Sequence, residues 1–183
     1  MRDTIDYLGS LFAAGVVMTM LMGFQVNLGE TASSQVFTNV VQEQLTSLTE
    51  ILEYDLRKVG YRWTAGPAVI FVDSIRLAFR TDIDNDGSPD SILYRLRTTP
   101  APVSSDPPTR VLERSVNGGP ALSCNVGLTS LRFAAHTATG TQTTNPADIR
   151  SLTVALALES PLASGDQFPG VFWERTFTPQ NMR

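Results

Sequence analysis

Asp82, Asp84, Asp86 and Asp90 stand at positions one, three, five and nine of an oxygen-rich loop, with Gly87 at six and the Ser88 carbonyl at seven. Alternate carboxylates let a short loop wind round a hard cation, and glycine at six permits the sharp turn that makes them converge. The spacing matches the first half of a calcium loop of the helix-flanked kind, so Ca²⁺ is the cofactor it suggests. Leu93 occupies position twelve, where a bidentate Glu would complete the ligand set. Without that ligand the expected affinity falls in the weak range, about 10⁻⁴ to 10⁻³ M. The competing reading is a polar hairpin turn, because Asp, Asn and Gly populate turns on their own account. Against it stands the mutual repulsion of clustered carboxylates, which a cation relieves.

Little else in the chain points to chemistry. His136 is the single histidine and has no partner in sequence, and Cys124 is the single cysteine, so no internal disulfide forms. Cys124 lacks the basic neighbour or helix start that would lower its pKa, and reads as a small buried apolar residue. Neither a Gly-x-Ser-x-Gly elbow, a phosphate loop nor a paired metal-ligand spacing occurs. An enzyme is not expected. The net charge of −4 argues against nucleic acid as a partner, since a phosphate backbone demands a basic footprint.

The elements that must position the Asp loop are two alternating segments. From Ser74 to Thr81, Ile75, Leu77 and Phe79 face one way and Arg76 and Arg80 the other. From Asp90 to Arg97, Ile92, Tyr94 and Leu96 oppose Arg95 and Arg97. A two-residue period of this kind predicts a half-buried antiparallel hairpin. Ala68 to Val72 is a short apolar run, and further strands are expected at Arg110 to Val116, Ala121 to Val126, around Leu131, Phe133 and Ala135, at Ser151 to Leu158, and at Val171 to Phe177. Asn117-Gly118-Gly119-Pro120 reads as a turn, and Thr98 to Pro108, Thr137 to Asp148 and Pro161 to Gly170 as loops. Trp63 and Trp173 are expected as core or anchor residues rather than stacking platforms.

The other organising segment lies at the amino terminus. Tyr7 to Gly29 contains no Asp, Glu, Lys or Arg, and its apolar residues suffice for the roughly 20 positions a bilayer core requires. A membrane anchor is favoured over a cleaved signal peptide, because only Arg2 is basic ahead of it and no Ala-x-Ala-like site follows. Beyond it, Phe37, Val41, Leu45, Leu48, Leu52, Leu56 and Val59 recur at spacings of three and four, one buried stripe of an amphipathic helix. Glu43, Glu50 and Glu53 precede Arg57 and Lys58, which suits the helix dipole, and Gly60 is a left-handed stop. At about 1.5 Å per residue, Asp6 to Val59 makes one helix on the order of 80 Å long, half in lipid and half outside. Gly9, Gly15 and Gly23, with Phe12 and Val16 beside them, offer a face where a second helix can approach closely. The predicted fold is therefore α+β: residues 1–60 form a transmembrane and amphipathic helix, and residues 61–183 an antiparallel β-rich globular domain packed against it.

This order of landmarks resembles the minor pilins and pseudopilins of type IV pilus and type II secretion systems. The resemblance rests on the hydrophobic helix running into Ile51-Leu52-Glu53-Tyr54-Asp55-Leu56-Arg57-Lys58-Val59-Gly60-Tyr61 and on the Asp-rich turn into Leu93-Tyr94-Arg95-Leu96. It extends to the Val126 to Phe133 run, the strand Ile149-Arg150-Ser151-Leu152-Thr153-Val154 and the closing Phe177-Thr178-Pro179. It implies a structural subunit of a pilus-like or pseudopilus filament, anchored in an inner membrane with its domain periplasmic or extracellular. Its partners would be other pilin-like subunits, met through the N-terminal helix. The family's leader-peptidase signature of Gly, an aromatic residue and a Glu fifth in the mature chain is not matched: Gly23-Phe24 is followed by Leu28 at that place. The alternative expectation is a monomeric membrane-anchored surface or adhesion module that binds calcium.

Overall fold

A computed structural model describes residues 2–97, 109–160 and 168–182. One helix, α1 (Arg2–Arg57), leads into seven strands: β1 (Val69–Val72), β2 (Arg76–Thr81), β3 (Asp90–Leu96), β4 (Arg110–Val116), β5 (Leu122–His136), β6 (Ser151–Glu159) and β7 (Gly170–Phe177). The strands form a single antiparallel sheet in simple sequence order from β1 to β7. The α+β architecture expected from the periodicities is the one observed. The proposed loop at residues 98–108 and most of that at 161–170 lie outside the described residues.

The core forms where the second half of α1 lies on the inner face of the sheet. Val41, Leu48, Leu52, Leu56 and Val59 are buried, and Leu45 packs against them half-buried. The sheet answers with Leu77 and Phe79 of β2, Ile92, Tyr94 and Leu96 of β3, Leu112 of β4, Leu128, Leu131 and Phe133 of β5, and the alternate residues Leu152, Val154, Leu156 and Leu158 of β6. Trp63 and Trp173 are partly buried against this cluster, as expected for edge-of-core aromatics. Burial of this stripe, rather than helix propensity alone, holds the second half of α1 in place.

The helix stops where its sequence says it should. Gly60 takes φ +76° and donates its N–H to the Arg80 carbonyl (2.8 Å), which couples the end of the helix to β2. A side chain at Gly60 would come within 3.0 Å of both Ala68 and the Asn181 carbonyl, so only glycine fits there.

One buried polar cluster fixes α1 on the sheet. Asp55, 1% exposed, accepts Tyr94 Oη at 2.5 Å on one carboxylate oxygen, and Arg114 Nε at 2.6 Å on the same oxygen. Arg114 Nη2 reaches the other oxygen at 3.2 Å. Burial, reinforced by the Asp55 charge, pushes the Tyr94 hydroxyl well above its ordinary pKa, so it remains a proton donor.

The sheet departs from expectation at one place. The segments at Ala121 to Val126 and around Leu131 to Ala135 are a single strand, β5, that changes partner midway. Its first part pairs with β4 and its second with β6, with register shifts on both sides of Leu128. Gly127, at φ +67°, sits at this change of partner, just past Val126 where the alternation predicts a strand end. Cys124, on the first part of β5, is half-buried rather than fully buried, and burial raises its thiol pKa.

Candidate functional site

The hairpin of β2 and β3 pairs Thr81 with Asp90 and so closes the Asp loop at its base. Asn85 (φ +64°) and Gly87 (φ +92°) supply the left-handed turns that fold residues 82–89 back on themselves. Asp86 N–H donates to Asp84 Oδ1 (3.1 Å) and Ser88 N–H to Asp86 Oδ1 (2.6 Å), so each exposed carboxylate also shapes the loop backbone. Asp82 is the exception in being fully buried at the loop's root.

One oxygen from each of Asp82, Asp84 and Asp86 lies within 4.8 Å of the others, a separation that three ligands of one ion can have. Asp82 Oδ2 is committed elsewhere: it accepts Arg62 Nη1 at 2.9 Å and the Gly87 N–H at 3.0 Å. Burial alone would raise the Asp82 pKa, but Arg62 and the Gly87 N–H outweigh it and hold the carboxyl below its usual range. The Asn85 N–H also helps to hold the carboxylate charged, yet Asp82 Oδ1 is buried and has no hydrogen-bond partner among the described residues. A buried carboxylate oxygen left unpaired is costly, and a metal ion is one group that would satisfy it. The donor set is hard oxygen throughout, so the trio could hold a metal ion of the calcium or magnesium type.

The remaining two expected ligands are placed differently. Asp90 is engaged away from the trio, with Oδ2 accepting the Ile83 N–H (3.1 Å) and Oδ1 accepting Asn117 Nδ2 (2.6 Å). It ties the second residue of the loop to the first residue of β3. Ser88 enters through its N–H to Asp86. Four residues around the loop escape a sequence reading. Lys58 Nζ donates to the Ile83 carbonyl (2.9 Å) and reaches Asn85 Oδ1 at 3.4 Å, and Tyr54 Oη meets the same carbonyl at 3.4 Å. Arg62 also reaches the Asn85 carbonyl at 3.3 Å, and Asn117 accepts the Ser91 N–H on its side chain at 2.8 Å. With Asp82 N–H on the Tyr61 carbonyl (3.0 Å), these contacts seat the loop on the end of α1.

The second candidate surface is the first half of α1, which is long and apolar enough to cross a membrane. Leu8, Leu11, Phe12, Val16, Val17, Met20, Leu21 and Phe24 are all exposed, and Phe12 is 75% exposed. Beyond the helix's own neighbouring backbone, a Cβ built on Gly9, Gly15 or Gly23 would meet no atom of the described residues within 4 Å. Farther along, Val36, Val40, Ile51 and Tyr54 are exposed on the side of α1 that turns away from the sheet. No protein-family model and no curated protein matches the chain, so the fold and these two surfaces carry the functional argument.

Proposed function

We propose that this protein is a pilin-like structural subunit, anchored in an inner membrane through α1 with its β domain on the periplasmic or extracellular side. It assembles with other pilin-like subunits, helix against helix, into a pilus-like or pseudopilus filament. The observation that carries this reading is the continuity of α1. An exposed apolar half and a core-forming half belong to one unbroken helix, and the apolar side chains have no cover within the described chain. Exposed patches of that extent need lipid or another protein. Lipid gives helices no hydrophobic reason to associate, so close packing at Gly9, Gly15 and Gly23, beside Phe12 and Val16, supplies the attraction. Full-length protein extracted in mild detergent is expected to sediment as rod-like assemblies as detergent is withdrawn. A monomer at every concentration and detergent level removes the filament reading and leaves the anchored module.

In the same reading the Asp82–Asp86 trio binds Ca²⁺ and stabilises the β domain. An ion that binds only the folded state stabilises it by mass action, about 1.4 kcal/mol at ten times Kd. For a chain of this size that corresponds to a rise of about 3 to 6 °C in Tm. The expected result is a Tm that climbs between chelator and about 10 mM Ca²⁺ in the wild type and stays flat in Asp84→Ala. Equal melting with chelator and with calcium in the wild type removes the calcium assignment.

A further inference from the structure

We propose that Arg62 sets the affinity of the Asp loop for its divalent cation, standing in for the ion at Asp82 and opposing it when it arrives. The proposal rests on the calcium reading above. Its basis is the division of labour on one buried carboxylate. Arg62 Nη1 holds Asp82 Oδ2 at 2.9 Å, while Asp82 Oδ1 is buried without a partner. One oxygen of this side chain is thus held by a cation built into the chain, and the other is left without a hydrogen bond beside Asp84 and Asp86, whose carboxylates lie within reach of the same ion.

Arg62 is placed for this by an unusual backbone. It sits at φ +55°, just past the end of α1, stacked over the Tyr61 ring with its guanidinium carbon 5.2 Å from the ring centroid. A non-glycine residue in that region is uncommon and unfavourable, and here it aims the guanidinium at the root of the loop. Lys58, the other cation of the neighbourhood, touches the Ile83 carbonyl and Asn85 but no carboxylate of the trio. Arg62 is therefore the positive charge that shares a ligand with the ion. In the ion-free protein it compensates part of the repulsion among Asp82, Asp84 and Asp86. In the ion-bound protein the same charge repels the ion, because two cations on the two oxygens of one carboxylate stand only a few ångströms apart.

The test is calcium titration of the full chain in detergent micelles at fixed ionic strength, by calorimetry, with thermal unfolding in parallel. Arg62→Asn removes the charge with a residue that tolerates positive φ. Arg62→Lys keeps the charge. The expected result is that R62N binds calcium about tenfold more tightly than wild type and melts lower without calcium, while R62K stays within about threefold of wild type. If the wild type binds calcium and R62N binds equally or more weakly, Arg62 is only a scaffold of the loop, and the proposal is overturned while the calcium reading stands. If neither binds, both are overturned. An R62N chain that folds only with millimolar calcium supports the proposal, since the ion then replaces the missing counter-charge; one that folds in neither condition overturns it.

Discussion

Gly127→Ala is expected to destabilise the β domain by about 4 kcal/mol or more, through two separate costs. The first is conformational: Gly127 lies at φ +67°, where an L-residue with a Cβ loses roughly 1 to 2 kcal/mol. The second is steric. A Cβ there would stand 2.4 Å from the Glu159 carbonyl oxygen, a backbone atom fixed in β6 that cannot swing aside. Relief requires β5 and β6 to separate at the place where β5 passes from one partner to the other. Gly140→Ala isolates the first cost, because Gly140 has φ +81° but nothing within 4 Å of its would-be Cβ. Denaturant midpoints of the two variants should therefore differ by several-fold in their shift from wild type. Equal shifts would show that the bend in β5 opens at no cost.

The same glycine explains where sequence reasoning succeeded and where it stopped. The stripe from Val41 to Val59 and the alternation of β2, β3 and β6 were legible because burial repeats with the period of the backbone itself. At Gly127 the local signal for a turn and the signal for a bulge are the same, a glycine between two apolar runs. Only the pairing of distant strands decides between them, and β4 and β6 made it a bulge. The Asp loop divides in a similar way. Asp82, Asp84 and Asp86 come together because their spacing alone brings them there. Asp90 fits the same spacing, yet Asn117, brought beside it by the β3–β4 pairing, claims one of its oxygens. Arg62, Lys58 and Tyr54 reach the loop from the end of α1, across 20 to 29 residues of sequence, and no local pattern marks them. The residues that brace the loop from outside it are those that tertiary structure, not spacing, delivers.

Asp55→Ala should cost about 3 to 5 kcal/mol, the range for removing one partner from a buried ion pair. The loss comes less from the contacts removed than from what stays behind. Arg114, whose side chain is only 16% exposed, would keep its charge without a counter-ion, and the buried Tyr94 hydroxyl would lose the acceptor it holds at 2.5 Å. Converting both members to apolar residues removes the stranded charge, so Asp55→Leu with Arg114→Leu should recover most of the stability that Asp55→Ala loses. A double variant no better than the single would place the loss in Tyr94 rather than in the ion pair. The cluster has a second consequence for assembly. Asp55 belongs to α1, Tyr94 to β3 and Arg114 to β4, so the three fix both the rotation of the helix and its axial position on the sheet. Apolar contacts along the Val41–Val59 stripe tolerate a sliding helix; a hydrogen-bonded carboxylate does not. If the first half of α1 packs against neighbouring subunits, the orientation of every β domain relative to that packing passes through Asp55. The double variant should then fold, with a Tm near wild type, yet sediment as assemblies of irregular diameter. Uniform assemblies from a well-folded double variant would show that the apolar stripe, with the Glu53–Arg175 ion pair between α1 and β7, sets the helix in register without Asp55.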